Sequence, residues 1–284
     1  MKFALLILIF LLSCGVPQQD YDVLKSENDR LRNDSTEIQR QLTELSYLQN
    51  HSEVSLANTE ITALKSKYNG QSYTIKIKLP RGYEEGTDSY PVLYVTDAET
   101  NFGGTSYIVQ RLIKNKLIPP ILVVGIAYDT DYDSFYRLRS RDLTPIDSNE
   151  MRDPTGGAEK FSQFLSNELF PLIAENYRVQ DNERAIYGHS YGGLFGNYVL
   201  LKKSEVFNKY LLLSPSLWFN DNMMIAELDK ASLSFDPTRL YMASGELESR
   251  IDDLQTQFIE NLSKKEPKNL VFKGEVMENE THRT

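Results

Sequence analysis

The sequence predicts an α/β domain built on a mostly parallel sheet with helices on both faces, preceded by an N-terminal helical stalk. Three observations predict it. From about residue 67 onward, short apolar runs rich in β-branched residues alternate with stretches of helical periodicity. Several of these runs lack polar alternation, as strands buried on both faces do. Finally, Gly188-His189-Ser190-Tyr191-Gly192 lies between an apolar run and an apolar-periodic stretch, the context of a sharp strand-to-helix turn.

At the N-terminus, Met1-Lys2 opens a weakly basic segment, residues 3–12 are apolar, and Leu11-Leu12-Ser13-Cys14 closes it. Residues 1–13 read as a secretory signal, too short to span a bilayer as a mature helix. Its end resembles a bacterial lipobox, so Cys14 is the expected lipidation site and the expected location is the cell envelope. It is the chain's single cysteine, so no internal disulfide can form. Residues 14–20 read as a tether and 21–66 as a helical, coiled-coil-like stalk with a hinge at 50–60. Leu24, Leu31, Ile38 and Leu45 recur every seven residues, with Asn28, Ser35 and Leu42 at the intervening seam position. Two polar seam residues weaken association, so the stalk is either a lone solvated helix or a homo-oligomerising one.

The remaining elements follow in order. Residues 72–79 alternate apolar and polar, as a half-exposed strand does, and stop at Pro80. Residues 91–96 and 121–128 are buried strands, and 158–177 is a helix with apolar positions at Phe161, Leu165, Leu169, Ile173 and Tyr177. Residues 185–187, 210–214, 240–244 and 270–277 supply later strands, with helices at 191–201 and 250–263. In such sheets ligands gather at the carboxyl ends of the strands.

The Gly-x-Ser-x-Gly pentapeptide carries the chemistry. A serine attacks carbonyl carbon only if it is exposed, aligned with a base and close to N–H groups that receive the oxyanion. Ser190, in a tight turn with glycines two residues to either side, meets those needs. A base must accompany it, and the chain has three histidines. His51 lies in the polar N-terminal segment, and His189 is on a turn that points it away from the Ser190 hydroxyl. His282, just after the last strand, is the expected base. The acid belongs on a loop between nucleophile and base, where Gly245-Glu246-Leu247-Glu248 follows a strand. Glu248, which the loop presents after its turn, is preferred to Glu246.

Around these residues the domain resembles the esterase branch of the α/β-hydrolases, the group that includes esterase D, enterobactin-type siderophore esterases, feruloyl and acetylxylan esterases, and mycolyltransferases. The resemblance runs through Tyr90-Pro91-Val92-Leu93-Tyr94-Val95-Thr96-Asp97, Arg139-Ser140-Arg141-Asp142-Leu143-Thr144-Pro145 and Gly156-Gly157-Ala158. It continues through residues 161–171 and 188–193, Ser214-Pro215-Ser216-Leu217-Trp218 and Glu280-Thr281-His282, and covers about residues 67–284. It implies an oxyanion hole made by the backbone N–H of Tyr191 and one from Glu99 or Ala98. It also implies a last helix beyond the two residues that follow His282, so the domain is expected to lack that helix.

Two side chains have open readings. Arg141 either reaches into the cleft for an anionic or polyhydroxylated substrate or staples a loop through Asp142. Trp218 either stacks on a substrate ring or fills the core of its loop. The expected function is serine ester hydrolysis through an acyl-enzyme, on a siderophore ester or a carbohydrate-linked acyl ester, with no metal or cofactor. The alternatives are an acyltransferase and a non-catalytic envelope binding protein on the same scaffold. A net charge of −9 and pI near 5.0 exclude nucleic acid as a partner, since phosphates need a basic surface.

Overall fold

A computed structural model describes residues 18–50, 56–149, 151–248 and 250–282. The signal segment, Cys14, the tether up to residue 17 and His51 lie outside the described residues. The chain divides into two units, Met1–Ser55 and Leu56–Thr284.

The described part of the first unit is one helix, α1 (Gln18–Asn50). At 1.5 Å per residue it is about 50 Å long. Leu31, Ile38 and Leu42 of the heptad pattern are more than half exposed on it. Among the described residues, no helix is long and apolar enough to cross a membrane.

The second unit is an eight-stranded sheet in the order β1-β2-β4-β3-β5-β6-β7-β8. Its strands are β1 (Thr59–Lys65), β2 (Ser72–Lys78), β3 (Tyr90–Val95), β4 (Leu122–Ala127), β5 (Val179–His189), β6 (Lys209–Leu213), β7 (Thr238–Gly245) and β8 (Leu270–Met277). Only β1 and β2 run antiparallel to their neighbours; β4-β3-β5-β6-β7-β8 are parallel throughout. The boundary between the units falls within the expected hinge at 50–60, of which residues 51–55 lie outside the described residues. The expected start of the domain at 67 moves earlier, because Thr59–Lys65 pairs along its whole length with β2. That strand is mostly exposed and only weakly apolar, so no buried run announces it.

Helices α2 (Ala98–Lys114), α3 (Tyr132–Leu143), α4 (Ala158–Phe164), α5 (Phe170–Asn176), α6 (Tyr191–Lys202), α7 (Phe219–Lys230) and α8 (Arg250–Lys264) join the strands. A π turn, Leu165–Leu169, links α4 to α5, so the single helix expected over 158–177 is interrupted at its middle. Side chains alternate across a strand, and β3 and β4 use both faces. Leu93, Val95, Val123 and Ala127 meet Ala98, Phe102 and Val109 of α2 in one cluster. On the opposite face Tyr94, Val124 and Ile126 join the larger core with Tyr73, Phe161 and Phe164. There Tyr73 stacks on Phe164 with ring centroids 4.5 Å apart.

The strand order reverses direction at β3, which lies between β4 and β5. At such a switch point the connections leave to opposite faces and open a crevice at the carboxyl ends. The loops after β3 and β5, which carry Asp97 and Ser190, flank that crevice.

Candidate active site

Ser190 stands between the end of β5 and the start of α6 with φ 59° and ψ −115°, a conformation that a residue with a Cβ holds only under constraint. The constraint is local. Its N–H donates to Leu213 O (3.0 Å), and its carbonyl accepts the N–H groups of Leu194 (3.0 Å) and Ser216 (3.1 Å). Close approach supplies the rest: a Cβ on Gly188 would collide with the Gly192 carbonyl, and one on Gly193 would lie 2.9 Å from Pro215 Cα. Because Ser190 O accepts the first α-helical hydrogen bond, the Tyr191 N–H heads α6 without an intrahelical acceptor. The Ser190 hydroxyl hydrogen-bonds the buried Ser216 hydroxyl at 3.2 Å.

His282 follows β8, and its Nδ1 is 2.7 Å from Glu248 Oε2. An ionised carboxylate only accepts, so Nδ1 carries the proton and Nε2 is left as the free base. The other Glu248 oxygen accepts the Ser214 hydroxyl and the Gly245 N–H, each at 2.6 Å. Burial pushes this carboxyl's pKa up, but Ser214, Gly245 and His282 together outweigh it and hold the group below the ordinary glutamate range. Glu246, two residues earlier, is exposed and accepts the Asn279 N–H at 3.0 Å. It anchors the loop that carries His282, as does the Leu247 N–H on Glu280 O (2.9 Å).

His189 makes no bond to the Ser190 hydroxyl, yet it has a role that the sequence leaves out. Its Nε2 lies 2.8 Å from the His282 carbonyl, and the two rings are 4.7 Å apart. A carbonyl only accepts, so His189 must carry its proton on Nε2. Burial first, and the neighbouring His282 second, hold its pKa below the ordinary histidine value, so it is neutral at neutral pH. The residue before the nucleophile therefore tethers the loop of the candidate base.

The other candidates separate clearly. Ala98 and Glu99 open α2, ahead of its first hydrogen bonds, which run from Thr100 N and Asn101 N to Asp97 O. Their N–H groups, like that of Tyr191, head a helix, the end at which negative charge is favoured. Arg141 lies in the last turn of α3 rather than in a loop, and its Nε and Nη2 hold Asp142 at 2.7 and 2.9 Å. The fully buried Asp142 also accepts the Tyr73 hydroxyl at 2.6 Å and the Asn69 amide at 3.3 Å. Arg141 thus pairs with Asp142 at the end of α3. Trp218 is half-buried at the start of α7, its ring 6.0 Å from that of Tyr191, so it packs against the turn itself. A cleft of about 560 Å³ is lined by Arg137, Asp147, Met151, Arg152 and Asp153, and Asp153 is near enough to act electrostatically on Tyr191.

The family described as putative esterase matches residues 66–282. A ferri-bacillibactin esterase of Bacillus subtilis is 31% identical over 229 residues, which cover 73% of this chain and 78% of that protein. A siderophore triacetylfusarinine C esterase of Aspergillus fumigatus is 30% identical, over 61% of each chain. Among solved structures, the BES protein of Bacillus cereus superposes with a TM-score of 0.72 at 26% identity, covering 82% of this chain and 93% of that one. An IroE-like serine hydrolase of Shewanella oneidensis superposes with a TM-score of 0.70 at 29% identity, over 79% of this chain and 75% of that one.

The Glu248 environment yields a pH test. A carboxyl whose folded pKa is depressed contributes stability that is complete above its unfolded value and is lost as pH falls through the folded one. Thermal melts from neutral pH down to about pH 3 will show Glu248→Gln less stable than wild type at neutral pH, with the difference shrinking on the acid side. An undiminished difference at low pH would remove the charge from the explanation.

Proposed function

The chain belongs to the putative esterase family and is a serine carboxylic-ester hydrolase, and from that premise we propose that Ser190, His282 and Glu248 form its catalytic triad and that a siderophore ester is its substrate. The observation that carries the triad is the Glu248–His282 hydrogen bond of 2.7 Å, on a loop tied by His189 to the turn that holds Ser190.

On this reading the substrate draws the Ser190 hydroxyl from Ser216 to Nε2 of His282; catalytic hydrogen bonds often tighten only in the substrate complex. Ser190 Oγ attacks the ester carbonyl, and Nε2 takes its proton. Glu248 stabilises the imidazolium, while the N–H groups of Tyr191 and of Ala98 or Glu99 receive the oxyanion. The imidazolium then protonates the departing alkoxide, leaving an acyl group on Ser190. Water attacks that ester with His282 again as base, which restores the serine and releases the acid.

The two curated relatives described above both act on siderophore esters, and this supports the substrate class. Arg137 and Arg152 line the cleft of about 560 Å³ together with Asp147 and Asp153, and the two guanidinium groups offer fork-like donors to an anionic ligand such as a ferric siderophore. The lipobox-like segment supports lipidation of Cys14 at the cell envelope, with the Gln18–Asn50 helix as a stalk. The exposed Leu31, Ile38 and Leu42 make homo-association of that stalk the second reading of it.

Three outcomes follow from these assignments. Ser190→Ala will abolish fluorophosphonate labelling and reduce hydrolysis of a chromogenic ester by at least about 10³-fold; labelling that persists would remove Ser190 from the mechanism. Arg137→Ala and Arg152→Ala will raise KM for an anionic siderophore ester with little change for a neutral aryl ester, and equal effects on both esters would reject the anion-binding role. Cys14→Ser will shift the protein from the membrane to the soluble fraction of a bacterial host, and an unchanged distribution would reject the lipid anchor.

A further inference from the structure

Asp97 and Arg139 form a buried two-point ion pair, Nε to Oδ1 and Nη2 to Oδ2, each 2.8 Å, with side chains 4% and 9% exposed. Taking two charges out of water costs about as much as such a pair returns, so stability is a weak reason for it. Its place in the site offers a better one. Asp97 is the left-handed residue, φ 52° and ψ 48°, through which the chain passes from β3 into α2. Its backbone carbonyl accepts the first hydrogen bonds of α2, but its carboxylate does not cap the helix because Arg139 holds it. Across the crevice, a Cβ on Gly192 would lie 3.5 Å from Asp97 Oδ2, so the carboxylate rests against the first turn of α6. The Arg139 guanidinium also stands over the Tyr191 ring, 5.1 Å from its centroid. One ion pair therefore touches the carriers of both candidate oxyanion donors.

We propose that the Asp97–Arg139 pair is a positioning element that fixes the separation between the Tyr191 N–H and the N–H groups of Ala98 and Glu99. The inference rests on the ester-hydrolase reading above. Neither side chain touches the reacting atoms. Glu99 adds a strap of another kind: its carboxylate accepts the N–H groups of Tyr128 and Asp129, holding the first turn of α2 to the end of β4. That strap restrains the helix, whereas the ion pair restrains the turn from which the helix starts. Donors aimed at the developing oxyanion act mainly on the transition state, so a loosened pair lowers kcat before it raises KM. Lysine keeps the charge of Arg139 but cannot present the planar fork that meets both carboxylate oxygens.

The test compares wild type with Arg139→Met, Arg139→Lys, Asp97→Asn and the double variant Asp97→Asn/Arg139→Met, which leaves no orphaned charge. Active sites are counted by saturating fluorophosphonate labelling, turnover is measured on a chromogenic ester, and an alkyl boronic acid serves as the tetrahedral analogue. We expect kcat per labelled site to fall about 10- to 100-fold in Arg139→Met and Asp97→Asn, with KM within about 2-fold. Boronate affinity should fall by the same factor as kcat, Arg139→Lys should be intermediate, and the double variant should be no worse than the poorer single one. Unchanged kcat per labelled site and unchanged boronate affinity, with only a lower Tm, would make the pair structural and overturn the proposal. Losses carried by KM, or single-variant losses that multiply in the double variant, would overturn it as well. Absence of turnover in wild type would sink the hydrolase reading and this inference together, whereas turnover with indifferent variants sinks this inference alone.

Discussion

At Ser190 the chain turns from strand to helix within one left-handed residue, and the geometry of the site depends on how that turn is held. The hydroxyl stands at the crevice rim because the backbone cannot relax. Its N–H and carbonyl are engaged by Leu213, Leu194 and Ser216, and the glycines at 188 and 193 let chain segments pass at distances that any Cβ would forbid. The same turn places the Tyr191 N–H at the head of α6 and sets His189 under the loop of His282. Strain at one residue is thus stabilised by sheet, helix and loop together, as expected where a conformation is over-determined by its surroundings.

Around this turn the charges are arranged by burial and by donors rather than by abundance. Glu248 is buried and still ionised, because three donors converge on it, one of them the imidazole it orients. His189 lies beside His282 and stays neutral, which spares the candidate base a neighbouring cation. Asp142, fully buried, is matched by Arg141, Tyr73 and Asn69. In each case a polar group inside the fold is satisfied by named partners, which is the condition for keeping it there.

The sheet explains why these groups can meet. Strands β3, β5, β6, β7 and β8 run parallel, so their carboxyl ends share one edge, and residues 97, 190, 214, 246–248 and 282 all follow those ends. Side chains more than ninety positions apart in the chain, such as His189 and His282, become neighbours without any long loop crossing the sheet. Solved structures only 26% and 29% identical to this chain superpose on it with TM-scores of 0.72 and 0.70, so the fold tolerates wide change in sequence.

The sequence by itself determined the α/β class, the positions of most strands along the chain and the turn at Ser190, and it pointed to serine, acid and histidine in that succession. These are written in short-range patterns: apolar runs, helical periodicity and glycine spacing. The edge strand Thr59–Lys65 escaped that reading because a mostly exposed strand needs no apolar run. The choice between Glu246 and Glu248 could only be weighed, since both lie in one short loop; the structure gives one to Asn279 and the other to His282. What Arg141 and His189 held and which arginine met Asp97 were decided by tertiary structure alone. Each depends on partners distant in sequence, and a side chain's role is set by the groups that burial brings within hydrogen-bonding reach.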